Sequence, residues 1–173
     1  MQEIQHYDRA AKRFYDSHPF RNLPVLGWDI FSEAFTSVCE NLRDVSLISD
    51  IAKENRWEKS ALFEKEILEK NHIVVVTDPE LNIVHATSNI MKMNGYHPDE
   101  ILGKKPKMFQ GAETCQETAS HIRKNVMEKR PFEAVILNYR KDGSTYKCWI
   151  KGAPIRDRKG KVVNFIAFEK EVA

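Results

Sequence analysis

The chain has 173 residues, of which 42% are hydrophobic and 30% charged, and its formal net charge is +2. That length holds one domain of ordinary size with a helical extension, not two full domains, and the composition is globular rather than disordered. So slight a basic excess leaves no electrostatic footprint for nucleic acid, and no run approaches the ~18 apolar residues of a membrane-spanning helix. The first residues, MQEIQHYDRAAKRFYDS, are charged throughout and lack the apolar core of a signal peptide. Cys39, Cys115 and Cys148 are widely spaced and form no CxxC pair, which argues against a disulfide framework or a zinc site and fits a reducing cytoplasm. The histidines form no HxxxH pair, so no metal site is expected.

The chain changes period near residue 70. Residues 2–16 read as a polar helix, ended by HPFRNLP, whose two prolines forbid continuation. Ile30, Phe31, Ala34, Phe35, Val38 and Leu42 then recur at helical spacing and form one apolar stripe. Leu47, Ile48, Ile51 and Ala52 form a shorter one, and residues 60–70 are again amphipathic. HIVVVTD (72–78) is a β-branched run that ends in a turn at Asp78-Pro79, and NIVHATS (82–88) completes a hairpin with it. Short helical pieces follow in NIMKMNG and HPDEILG, the second with Pro98 and Asp99 at its start and Gly103 at its end. A longer helix is expected over 113–129.

Three strands close the chain. PFEAVILNYR alternates, with Phe132, Ala134, Ile136 and Asn138 on one face. KDGS and RKGK are turns, and STYKCWIKGAPIRD and VVNFIAFEKEV are the strands they join. Two strands, several helices and three strands with tight turns predict an α+β domain: an antiparallel sheet covered by helices on one face. No internal repeat or low-complexity tract is present.

GKKPKMFQGAET, ILNYRKDGSTY and PIRDRKGKVVNFIAFEKE occur in this order over residues 70–173, and together they resemble a PAS domain. Within that superfamily they are most similar to the light-oxygen-voltage (LOV) subgroup. The resemblance implies a five-stranded antiparallel sheet with a ligand pocket between sheet and helices. It does not extend to residues 1–69, which resemble the helical flanks that PAS domains use to dimerise or to pass signals to partners.

In LOV domains the segment matching 103–110 reads Gly-x-Asn-Cys-Arg-Phe-Leu-Gln, and its cysteine bonds reversibly to an excited flavin. The resemblance puts Lys105 at the asparagine, Pro106 at the cysteine, Lys107 at the arginine and Gln110 at the glutamine. Pro106 has no thiol, so the usual adduct is not expected. The phosphate-binding positions fall on Lys107 and Arg123, and lysine binds phosphate as a point charge without a bidentate fork. The ring-binding positions fall on Asn138, Cys148 and Glu169, which strand parity puts on one face of the sheet. A thiol is a weak partner where an amide makes good bonds, and an ionised glutamate only accepts. Each mismatched buried bond costs roughly 1–3 kcal/mol. Burial can raise the glutamate enough to make it a neutral donor.

Two functions follow. The first is a sensory or regulatory PAS module that acts through protein contacts, with a pocket filled by side chains or by a small molecule other than flavin. The second is an FMN-binding, cysteine-less LOV-like photo- or redox receptor, with Tyr146 or Trp149 as electron donors. A haem on His121, at the helix that carries the ligand in some other PAS domains, is the weaker cofactor reading. No nucleophile–base pair, phosphate loop or metal cluster suggests an enzyme. The expected organisation is an interaction and dimerisation extension over residues 1–69 and a PAS domain over 70–173. The expected protein is a cytoplasmic homodimer with a downstream signalling partner and with no nucleic acid or membrane contact.

Overall fold

The structure is a computed structural model that describes residue 12, residues 28–58 and residues 62–173. The polar helix expected over 2–16 therefore lies, apart from Lys12, outside the described residues.

Helix α1 spans Trp28–Glu54 without a break. The two apolar stripes of the sequence are one helix, because no glycine or proline separates them. Leu42, Ile48 and Ala52 are buried on it, while Ala34, Phe35 and Val38 in the earlier stripe are only partly covered. The helix ends in a Schellman-type turn: Arg56 takes φ 54°, and the Trp57 N–H reaches back to the Ala52 carbonyl at 2.9 Å. Helix α2 follows at Leu62–Leu68 and buries Phe63 and Ile67.

The strands are β1 (Ile73–Thr77), β2 (Ile83–Ala86), β3 (Phe132–Tyr139), β4 (Thr145–Arg156) and β5 (Val162–Val172). They form one sheet in the order β2-β1-β5-β4-β3, with every neighbouring pair antiparallel. The β3–β4 and β4–β5 connections are the short turns expected at KDGS and RKGK, where Gly143 and Gly160 take φ 86° and 80°. Between β2 and β3 the chain forms α3 (Ile90–Asn94), α4 (Pro98–Ile101), a 3₁₀ turn (Pro106–Phe109) and α5 (Gln116–Met127). Helix α4 starts with a capping box between His97 and Glu100. An Arg140 hydrogen bond to the Met93 carbonyl and a Lys141–Glu100 ion pair tie the β3–β4 turn to this helical layer.

Strand alternation divides the core in two. On the inner face Ile73, Val75, Ile136, Tyr146 and Cys148 pack with Ile90, Met93, Ile101 and Phe109. On the outer face Val74, Val76, Ile166 and Phe168 pack with Ile48, Ala52, Trp57, Phe63 and Ile67. The extension thus covers the second face of the sheet. Two polar contacts fix it there. The Trp57 indole N–H donates to Asn164 Oδ1 at 2.8 Å, and the buried Asp44 accepts from the Ser88 N–H at 2.7 Å.

Candidate functional site

The inner face of the sheet does not meet the helical layer everywhere. Towards α5 and the 3₁₀ turn a cavity of about 400 Å³ remains, a size in the range of small-molecule sites. Strand β1 contributes Val75 and Thr77, β3 contributes Phe132 and Asn138, β4 contributes Ile150 and Gly152, and β5 contributes Ala167 and Glu169. The 3₁₀ turn and its flanks contribute Lys105, Pro106, Lys107, Phe109 and Gln110. Helix α5 contributes Ala119, Ile122 and Arg123, which lie at helical spacing on the face turned to the sheet.

Six of the seven residues that the LOV resemblance singles out line this cavity: Lys105, Lys107, Gln110, Arg123, Asn138 and Glu169. Cys148 does not. It shares their face of the sheet but is fully buried in the inner core, where it packs with Ile136 and Tyr146. Its thiol lies 3.8 Å from Glu169 Oε2, so it touches the site only through that carboxyl. Parity gives the face of a side chain and not its depth, and here β4 runs under the core before it reaches the cavity at Ile150.

Glu169 is 5% exposed, and among the described residues its one side-chain hydrogen-bond partner is the Cys148 thiol. Loss of hydration pushes its carboxyl up to about 7, against a smaller lowering by that thiol. Burial likewise pushes the Cys148 thiol and the Tyr146 hydroxyl far upward, with the Glu169 charge adding to both. Cys148 and Tyr146 are therefore neutral in neutral buffer, while Glu169 is poised between its protonated and ionised forms there. Among the described residues the Thr77 hydroxyl has no hydrogen-bond partner and is buried in the cavity wall. Such a group is open to a polar ligand edge or to water.

His121 sits on the exposed side of α5, 3.3 Å from Asn125, and does not line the cavity. Cys115 is exposed at the start of the same helix, where the Thr118 and Glu117 amides favour its thiolate. Sequence reasoning missed Thr77, Phe132 and Gly152. The period-two alternation with Ile73 and Val75 was enough to put Thr77 on the inner face. Alternation likewise put Phe132 on the face of Asn138, and only Gly152 needed the β3–β4 register, in which it is the direct partner of Phe132. A Cβ on Gly152 would meet the Phe132 ring at 2.4 Å, so the glycine makes room for that ring in the cavity wall.

Among known proteins, residues 71–172 match the PAS domain family. The chain is 37% identical over 97 residues to Phototropin-2 of Oryza sativa subsp. japonica, covering 56% of this chain and 11% of the relative. It is 35% identical over 117 residues to Protein TWIN LOV 1 of Arabidopsis thaliana, covering 65% of this chain and 29% of the relative. The chain thus spans less than a third of the length of either. A solved structure described as "Flavin Analogue Sheds Light on Light-Oxygen-Voltage Domain Mechanism" superposes with a TM-score of 0.61 at 32% identity, over 64% of this chain and 84% of that one. The dark structure of the blue-light photoreceptor Aureochrome1 LOV superposes with a TM-score of 0.61 at 29% identity, over 67% of this chain and 86% of that one. With its sheet order, its inner-face cavity and this match over most of the sensor unit, the chain belongs to the PAS domain family and is of the light-oxygen-voltage type.

Proposed function

We propose that the protein is a sensory module whose cavity holds FMN, that it works without a cysteine adduct, and that it signals through the helices on the outer face of the sheet. The observation that carries this reading is the convergence of unlike groups on one cavity. Cations come from the 3₁₀ turn and from α5, and polar side chains come from β3 and β5. A pocket closed by its own side chains is disfavoured, because packed interiors leave few voids larger than a water molecule and this one is about 400 Å³.

The donor set fits the group. Lys107 and Arg123 are the partners for a phosphate, with Lys105 adding positive charge. Gln110, Asn138, Thr77 and a protonated Glu169 offer donors and acceptors to a ring edge. When bound, a flavin supplies light absorption and electron acceptance. Ile150, Phe109 and Val75 would give the ring apolar contact and exclude water from it, and Glu169 would hold a proton beside it. The resemblance puts Pro106 at the adduct position, and no cysteine among the described residues lines the cavity.

Strand β5 connects site and output. Ala167 and Glu169 face the cavity, while Ile166 and Phe168 between them pack under α1 and α2. A rotation of β5 at Glu169 moves Phe168 against those helices. We place the boundary between the sensor and its extension near residue 70 and assign output to the extension, by self-association or by contact with a partner.

The absorption spectrum of the purified protein before and after addition of FMN and gel filtration tests the first step. A retained, structured band in the blue supports the reading, and a blank spectrum removes the flavin. In the loaded protein Pro106→Cys is expected to restore a light-induced, blue-shifted adduct. Its failure to do so would place the ring elsewhere in the cavity.

A further inference from the structure

Glu169 is an unusual group to find in the wall of a cavity that also carries three cations. In the sheet it lies between Ile73 of β1 and Ile150 of β4, its direct partners on either side. From β1 it faces no titratable group. From β4 it faces the Cys148 thiol and acts on the Tyr146 hydroxyl, and Asn138 of β3 lines the same cavity. Across the cavity stand Arg123 on α5, and Lys105 and Lys107 at the 3₁₀ turn. Among the described residues none of these cations forms an ion pair with it. Its carboxyl therefore has no counter-charge to hold it ionised.

We propose that the cavity accepts its flavin only while Glu169 carries a proton, so that occupancy of the sensor is gated by pH. The inference rests on the flavin reading above and adds its regulation. A neutral carboxyl offers one donor and an acceptor, as a carboxamide does. An ionised one offers only acceptors to a ring edge that needs a donor, and a bound ring would seal that charge away from water with no partner. Burial in the ligand-free protein already puts the transition at about 7, within reach of ordinary changes in cellular pH. Ligand entry removes the remaining water and drives the same group further toward its protonated form, so above neutrality binding takes up a proton from solution.

The test is titration of the full chain with FMN and, separately, with riboflavin, which lacks the phosphate. With the transition at about 7, affinity is expected to fall roughly twentyfold between about pH 6.5 and about pH 8.5. The slope should be the same for riboflavin, and Glu169→Gln should flatten it. Should that variant not fold, calorimetry of the parent with FMN near pH 8 in buffers of different ionisation enthalpy gives the same answer: close to one proton is taken up per flavin bound. Affinity that is level across this range, a slope that survives in Glu169→Gln, or no proton uptake overturns the gate and leaves the flavin site standing. Absence of FMN binding at every pH overturns the site, and the gate with it.

Discussion

At the scale of the residue, Glu169 has a consequence that needs no ligand. Its carboxyl is raised from 4.5 in an unstructured chain to about 7 in the fold. Below the lower value both states hold the proton, and the neutral, buried form contributes its full stability. As pH rises between the two values, the unfolded chain releases the proton and the folded one keeps it, so stability falls until the folded carboxyl also ionises. The shift corresponds to about 3 kcal/mol over that window. Denaturant unfolding of Glu169→Gln beside the parent should show the variant gaining on the parent by roughly that amount as pH rises from 5 to 8 (approximate limits). A difference that stays level would mean that the carboxyl is hydrated. Arg56 is a second isolated case. It holds φ 54° to close α1, a conformation that disfavours any residue with a Cβ. Arg56→Gly is therefore expected to raise stability by about 1 kcal/mol, read as a higher denaturation midpoint with an unchanged slope. Asn138, Lys107 and Glu169 were legible in the sequence because motif and strand parity fix the face of a side chain. The depth of Cys148 was not, because depth depends on how the helices lie across the sheet.

At the scale of the element, α1 and β5 carry the coupling. Helix α1 reads from sequence as two amphipathic stripes, and only packing tells which one meets the protein's own sheet. Ile48 in the second stripe is fully buried against the outer face, whereas Ala34, Phe35 and Val38 in the first are only partly covered. Ile48→Ala should cost about 2–5 kcal/mol if the extension and the sheet unfold together. A loss confined to helix signal, with the sheet unfolding at its former midpoint, would show two independent units. The β3–β4 pair sets the cavity wall. Gly152→Ala forces the Phe132 ring from its place, at a cost of about 1–3 kcal/mol and with altered flavin affinity, whereas the same change at the open Gly143 turn leaves the cavity untouched. Element boundaries were largely visible beforehand because turns such as KDGS and RKGK, and prolines such as Pro98, are local chemistry. The continuous α1 was not, since the absence of a breaker is a weaker signal than its presence.

At the scale of the whole molecule, the sheet has a sensor on one face and an extension on the other, with no spare layer between them. Removal of residues 1–69 bares Val74, Val76, Ile166 and Phe168 together, an apolar patch of the kind that drives association. The fragment 70–173 is expected to aggregate or to self-associate more strongly than the full chain, as measured by light scattering. A fragment that stays monomeric and equally stable would separate the extension from the sensor. The partly covered face of α1 at Ala34 and Val38 is our proposed surface for a homodimer, and light scattering of the full chain tests that as well. No described helix is long and apolar enough to cross a membrane.

The sequence by itself determined the succession of strands and helices along the sensor unit, its turns, the family it belongs to and most of the cavity's polar residues. These rest on local propensity, on period-two alternation and on short motifs whose chemistry is carried in consecutive letters. Only the tertiary structure decided that the extension covers the outer face, that Cys148 lies behind Glu169, and that Glu169 has no cation to hold its charge. Those are facts about which groups meet between separate elements, in the extreme across more than a hundred residues of chain, as Trp57 and Asn164 do. They depend on which faces exclude water from one another, and a linear pattern does not contain that.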